Sequence, residues 1–311
     1  MLPMIEYAGN GDKAVGIENV MTWLAIIGTA MLLITFFTTK ERIVPTPAQK
    51  SSLKEDLTDL AKNKPWVIML LLTTLVFINL AMKGGSYVYY FENFVDKDSL
   101  TKFIQPVLTF LTGIGVNFFG ENPVSAGFGL FNAGGIIFMI IGITLSKGLA
   151  DKYGKRDVFG VTLFISTLFI LFFYFFPPTS IGLIFGSQIL HGFFYGITIP
   201  LLWAMIADVA DYSEWKNNRR ATAIIFSAMM VGLKGGLSIG SALLTWILGL
   251  YDYVPQSDAV QSDTAILGTK LLVSIYPSIP FLIGVGLLFF YEINKTMEDK
   301  IETDLSSRRE R

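Results

Sequence analysis

Seven apolar runs, each about as long as the hydrocarbon core of a bilayer is thick, decide what this chain can fold into. A helix needs about 20 apolar residues to cross. The runs 20–38, 66–91, 124–146, 158–176, 181–207, 221–249 and 271–293 meet that length. Lipid offers no partners to backbone N–H and C=O groups, so each run must pair its own backbone as a helix. Composition agrees: 52% of the 311 residues are hydrophobic and 16% charged, whereas a soluble domain carries about 25% charge. The expected fold class is all-α integral membrane, which excludes the soluble enzymes. The start, Met1 to Asn19, has no basic n-region and places Glu6, Asn10, Asp12 and Lys13 before the first run. It reads as an external segment, not as a signal peptide.

The remaining composition narrows the chemistry. A net charge of −1 provides no basic field, so nucleic acid is not expected as a partner. With no cysteine and a single histidine, neither a disulfide framework nor a zinc or thiolate centre is expected. No cofactor is expected. The 29 glycines and 26 phenylalanines fit helices packed closely in lipid.

Lysine and arginine placement sets the orientation. The segments 39–64, 147–156, 208–220 and the tail from 294 carry 18 basic residues, whereas 1–19, 92–123, 177–180 and 250–270 carry 4. The expectation is an outside N-terminus and a cytoplasmic C-terminus in a plasma (inner) membrane. Residues 103–119 are apolar but short and contain Pro106. A crossing there would invert every later loop, so the segment is expected to be an external interfacial or re-entrant piece. The chain thus divides into an external segment with one span (1–38), a cytoplasmic linker (39–64) opened by Pro45 and Pro47, six spans (65–293) and a tail (294–311). Lys54 to Lys64 could form a short surface helix in the linker.

Ionisable residues inside spans are functional-site hypotheses by default. At about 100° per residue, Ser227, Lys234, Ser238, Ser241 and Thr245 share one arc of their span. The serines could simply bond their own i−4 carbonyls, but a lysine in the same arc favours an aqueous cavity. Asn79, Lys83, Tyr87 and Tyr90 share another face, where an ammonium beside tyrosines suits a polyhydroxylated ligand; outward snorkelling of Lys83 is the rival reading. A third stripe holds Gln188, His191, Tyr195 and Thr198 ahead of Pro200. Lone His191 reads as a packed, hydrogen-bonded residue, and Trp203 as either a stacking platform or core. On the cytoplasmic side, Asp151 is expected to cap the next helix or to pair with Arg156 or a neighbouring helix end. Asp208, Asp211 and Glu214, followed by Lys216, Arg219 and Arg220, are expected to find basic partners across the bundle. Pairs of that kind, made in one conformation and broken in another, would form a gate.

The run Trp203-Ala204-Met205-Ile206-Ala207-Asp208-Val209-Ala210-Asp211-Tyr212-Ser213-Glu214-Trp215-Lys216, followed by Arg219-Arg220-Ala221-Thr222, resembles the junction between helices ten and eleven of the glycoside–pentoside–hexuronide:cation symporters, the melibiose-carrier-like branch of the major facilitator superfamily. Thr39-Lys40-Glu41-Arg42, Asn63-Lys64-Pro65-Trp66 and Tyr89-Tyr90-Phe91 resemble the same family. So does the turn 148–156, except that Lys147 stands where a glycine is expected. The resemblance covers essentially the whole chain, with its seven spans matching helices six to twelve of twelve. It implies the last helix of one bundle followed by a six-helix carboxyl-terminal bundle, and sugar uptake coupled to Na⁺ or H⁺ by alternating access. Lys234 matches the family's cavity-facing lysine. On this reading Lys234, Ser227, Ser238, Ser241, Lys83, Tyr87, Gln188, Tyr195 and Trp203 line the substrate cavity. Asp151, Arg156, Asp208, Asp211, Arg219 and Arg220 form the cytoplasmic gate. The implied cation site and much of the sugar recognition lie in the amino-terminal half, so a second chain or a longer reading frame is the implied partner, beside the sugar and the bilayer.

Two other classes share parts of this pattern. A seven-helix receptor or retinal protein shares the topology, but a Schiff-base lysine is needed in the last span and 271–293 has none. A membrane enzyme would need a metal cluster or an in-span carboxylate pair, and neither is evident, so the chain is not expected to be an enzyme.

Overall fold

The computed structural model describes residues 2–10, 12–40, 60, 62–116, 122–218, 222–255 and 260–309. Most of the 39–64 linker, with Pro45, Pro47 and Lys54, lies outside the described residues, as do Arg219 and Arg220. Among the described residues all regular structure is helical. Seven helical stretches are long and apolar enough to cross a membrane: Ala14–Thr38, Lys64–Asn93, Pro123–Tyr153, Lys155–Phe175, Ile181–Asn217, Thr222–Leu250 and Asp263–Leu288. They coincide with the seven apolar runs, and the chain is a multi-pass membrane protein of all-α class.

The chain falls into two compact units. One comprises 1–52 and 97–130. It contains α1 (Leu2–Gly9), α2 (Lys13–Thr38), α4 (Lys97–Gly113) and the first residues of α5 (Pro123–Tyr153). Asp12 caps α2, its Oδ1 accepting from the Ala14 and Val15 N–H groups at 2.8 and 3.3 Å. In α4, Leu100 and Ile104 are buried while Phe103, Val107 and Phe110 are exposed. The segment expected to stay outside the span count is therefore a helix that begins at Lys97, and it is not among the seven long apolar ones.

The other unit comprises 53–96 and 131–311. α3 (Lys64–Asn93) starts where Asn63 Oδ1 accepts from Trp66 N–H at 3.2 Å and Pro65 occupies the first turn, where a missing donor costs nothing. α5 runs on to Tyr153. Gly154, at φ +88°, then turns the chain into α6 (Lys155–Phe172), a backbone region that favours glycine. α7 (Ile181–Asn217) extends ten residues beyond the apolar run that announced it. The 208–220 segment, read as a loop, is thus helical as far as Asn217, and Asn218 ends it at φ +54°. It stays helical because Tyr212, Ser213 and Trp215 pack or bond rather than face solvent.

α8 (Thr222–Leu250) lies against α3 along Gly232, Gly236 and Gly240. A Cβ at Gly236 would sit 2.5 Å from Thr74 O, and one at Gly240 2.5 Å from Ile78 O. The period of four places these residues on one face, so the two backbones meet directly. The final span is split at Ser274 into α9 (Asp263–Val273) and α10 (Ile275–Leu288). Pro277 and Pro280, which cannot donate, follow the split. Carbonyls near it are met from α3: Ser86 Oγ donates to Leu272 O at 3.1 Å, and Asn79 Nδ2 donates to Pro277 O. The unit's main core gathers Met69, Leu72, Phe159, Leu163, Met205, Ile206, Val209, Met229 and Phe281. It continues into α11 (Lys295–Arg309), whose Ile301 and Leu305 are buried with Met297 packed against them.

Candidate functional site

Three polar groupings stand out in the second unit. The first is the α8 stripe. Ser227, Lys234, Ser238, Ser241 and Thr245 are all exposed, on the side of the helix away from its glycine face. Ser238 Oγ donates to Lys234 O at 2.9 Å, and Thr245 Oγ1 to Ser241 O and Ala242 O at 3.2 and 3.0 Å. The Ser238 and Thr245 hydroxyls therefore bond their own helix, while the lysine is presented outward.

The second grouping is interior. Lys83 is 7% exposed, and its Nζ lies 5.3 Å from the centre of the Tyr87 ring, so it does not snorkel outward. Tyr87 donates to Gln188 Oε1 at 3.1 Å, joining α3 to α7. Gln188 fits over Gly135 of α5, where any Cβ would come within 2.8 Å of its Nε2. One turn on, His191 Nδ1 sits 2.8 Å from Ser166 Oγ of α6. Its ring is stacked on Tyr195 (5.7 Å between centroids), which is stacked in turn on Phe281 (5.9 Å). Trp203 is half-buried against the same core. The residues expected to line one cavity thus divide. Lys83, Tyr87, Gln188 and Tyr195 come together inside the bundle, while Lys234, Ser227, Ser238 and Ser241 lie on an open helix face.

The third grouping surrounds a cleft of about 670 Å³, between the α5–α6 turn, the end of α7 and helix α11. Asp151, Lys155, Asp208, Asp211, Lys295 and Glu298 line it. Lys155 Nζ donates to both carboxylate oxygens of Asp208, at 2.6 and 2.7 Å, and lies 4.0 Å from Glu298. Asp151 neither caps the next helix nor pairs with Arg156. α5 continues through it to Tyr153, the cap position of α6 is Gly154 without a side-chain bond, and Asp151 is exposed on the last turn. Arg156 instead donates to Asp157 Oδ1 at 2.8 Å and to Tyr291 O at 3.2 Å. Glu298 is held above the ordinary carboxylate range because burial, with repulsion from Asp208, outweighs the attraction of Lys155. Its Oε1 is buried without a hydrogen-bond partner.

Two participants escaped the sequence reading. Lys155 lay in the basic turn, but only the fold shows that Asp208 faces it. Helix α11 clamps the end of α7: Trp215 Nε1 donates to Asp304 Oδ2 at 2.8 Å, and Arg308 donates to Trp215 O and Asn218 Oδ1 at 3.2 and 3.1 Å. The spacing of Met297, Ile301 and Leu305 was its available signal.

Comparison with known proteins places this architecture. The chain is 28% identical over 97% of its length to the "Putative glycoside/cation symporter YagG" of Escherichia coli (strain K12), covering 59% of that protein. It is 28% identical over 91% of its length to the inner membrane symporter YicJ of the same organism, covering 55%. To the isoprimeverose transporter of Lactiplantibacillus pentosus it is 27% identical over 99% of its length, covering 58%. The chain therefore spans little more than half the length of these relatives. A family model described as MFS/sugar transport protein matches residues 1–122 and 111–295. That match takes in nearly all of the chain, including α7 with its acidic end and the lysine-bearing α8, and the chain belongs to the MFS/sugar transport protein family.

Proposed function

We propose that this chain supplies one wall of the sugar cavity and the cytoplasmic gate of a glycoside/pentoside/hexuronide:cation symporter. Its N-terminus lies outside and its C-terminus inside the plasma (inner) membrane. The observation that carries the reading is Lys234. An ammonium midway along a membrane helix is costly against lipid and belongs on a water-filled face. Here it is presented outward with Ser227, Ser238 and Ser241 from a helix whose opposite side is glycine-packed. A second set of helices, from another chain or a longer one, would close that face into a cavity and carry the coupling site for Na⁺ or H⁺. Asp151, Arg156, Asp208 and Asp211, with Arg219 and Arg220, would then serve the gate at the cytoplasmic end. The names of the relatives, a glycoside/cation symporter and an isoprimeverose transporter, support a sugar or glycoside as the cargo and a carrier rather than an enzyme.

The test is complementation. The chain is joined to the portion of YagG that it does not match, and uptake of radiolabelled glycosides into vesicles is followed with and without a Na⁺ or H⁺ gradient. Gradient-dependent uptake, abolished by Lys234→Ala with expression intact, is the expected result. Uptake unchanged in Lys234→Ala removes that residue from the site, and absence of uptake in every pairing rejects the carrier reading. Labelling of single cysteines placed in the 92–96 and 295–309 segments, from either side of the membrane, tests the orientation.

A further inference from the structure

We propose that α4 (Lys97–Gly113) is an interfacial helix whose docking partner is the lipid surface where α5 begins, which is the outer leaflet on the orientation given above. The docking itself does not depend on that orientation. The first observation is an apolar strip. Phe103, Val107 and Phe110 recur at helical spacing, and Ile114, whose N–H still reaches Phe110 O at 3.2 Å, continues the line. At about 100° per residue the four fall within an arc of about 60°. All four are exposed, Phe110 and Ile114 by 66% and 60%. Gln105, Thr109 and Thr112, also exposed, occupy the opposite side of the helix. Exposed Lys97 and Lys102 stand at the two borders between these faces. There a long basic side chain can lay its stem on apolar surface and keep its charge in water, the pattern of helices that lie in a membrane surface.

The depth of α4 favours lipid as the occupant of that strip. Leu100 and Ile104 are buried and mark the side by which the helix packs. Leu100 rests on Gly127 of α5, where a Cβ would come within 2.9 Å of both its methyl groups. The polar cap of α5 is Asn122, whose Oδ1 accepts from the Val124 and Ser125 N–H groups at 3.0 and 3.3 Å. Gly127 lies about 7 Å along the span from that cap, toward the hydrocarbon. Interfacial helices bury their apolar faces by about 5–10 Å, so the contact on Gly127 holds α4 at the matching depth. A crossing does not fit. After Lys102 only about 18 Å of helix remains, against about 30 Å of hydrocarbon. Gly115, at φ +87°, then ends it, with Val116 N–H on Leu111 O at 2.9 Å. Pro106 also deprives the Lys102 carbonyl of its in-helix donor. Headgroups and water can meet such a carbonyl, and hydrocarbon cannot.

The chain has no cysteine, so single cysteines can carry a nitrobenzoxadiazole label without background. They are placed as Val107→Cys, Phe110→Cys and Ile114→Cys on the strip, and as Gln105→Cys, Thr109→Cys and Thr112→Cys opposite it. Gly28→Cys, near the middle of α2 with nothing within 4 Å of its Cβ position, is the reference for a deep, inserted site. The full chain is reconstituted in nanodiscs, where aqueous iodide reaches both faces and doxyl lipid carries a quencher either near the headgroup or deep in the acyl chain. The expected result is that the three strip labels lose emission to shallow doxyl lipid and not to iodide, while the three opposite labels do the reverse. The Gly28 label is quenched most by the deep doxyl group. Iodide quenching at all six α4 positions describes a helix standing in water, and deep doxyl quenching at all six a helix within the hydrocarbon; either overturns the proposal. Strip labels shielded from both quenchers assign the strip to protein, another chain or a second copy, and overturn it as well. Adding Phe110→Asp to the Val107→Cys chain should move that label from lipid quenching to iodide quenching. A label that stays in lipid means that the contact on Gly127 alone holds the helix, and overturns docking by the strip.

Discussion

Lys155 Nζ lies 2.6 and 2.7 Å from the two carboxylate oxygens of Asp208, tying the first residue of α6 to the last third of α7. Both side chains are mostly covered, at 28% and 16% exposure, so the pair sits between the surface and interior regimes. Removing one partner strands the other charge in a poorly hydrated place. Lys155→Met is expected to destabilise the chain by about 1–3 kcal/mol, read as a lowered unfolding midpoint in detergent. The double variant Lys155→Met/Asp208→Asn, which removes the Asp208 charge together with its partner, is expected to recover most of that loss. A single variant no worse than the double would mean that the pair holds nothing together.

The glycine face of α8 gives a second prediction. A methyl group at Gly236 meets Thr74 O at 2.5 Å and Phe77 Cβ at 2.9 Å, whereas one at neighbouring Gly235 meets nothing within 4 Å. Gly236→Ala should push α8 from α3 and cost about 1–3 kcal/mol, the usual range for overpacking. Gly235→Ala should be neutral or stabilising by up to about 1 kcal/mol, because alanine is the better helix former. Parallel thermal melts of the two variants check the contrast.

Glu298 gives a pH dependence with a definite sign. Its carboxyl is raised above its ordinary value of 4.5, chiefly by burial. A raised acid contributes stability that is fully present below the unfolded value and is lost as pH rises through the folded one. Docking of α11 should therefore be firmest in acid and weaker near neutrality. Glu298→Gln, which imitates the protonated form, should melt higher than the unaltered chain at neutral pH and match it below about pH 4. A gap that is constant with pH would place the effect elsewhere.

What the sequence made legible follows from how strongly lipid constrains it. Each span needed a continuous apolar run, so Lys64–Asn93 and Thr222–Leu250 could be read within a few residues of their ends. Where lipid no longer decides, packing does, and packing is not written locally. α7 continues past its apolar run because Tyr212 bonds Glu292, just ahead of α11, and Trp215 bonds Asp304 within it, 80 and 89 residues later in the chain. The break at Ser274 was hidden because the whole run 271–293 is apolar; Pro277 and Pro280 were the only hint. Periodicity placed Lys83 with Tyr87 and Gln188 with Tyr195 on their separate helices. That the two faces meet in the interior, while the Lys234 face stays open, depends on which sides carry Gly135 and Gly236, and a single helix's arc does not reveal its neighbour.

Asn79 braces the broken last span from the face of α3 that it shares with Lys83. It is 2% exposed and donates to Pro277 O beside the α9–α10 break. Asn79→Ala would leave that carbonyl to be met by the α10 backbone alone, at a cost of about 1–3 kcal/mol for an unmet buried group. The variant should unfold at a lower temperature in a thermal melt in detergent, and an unaltered melting point would mean that the α9–α10 break does not depend on Asn79.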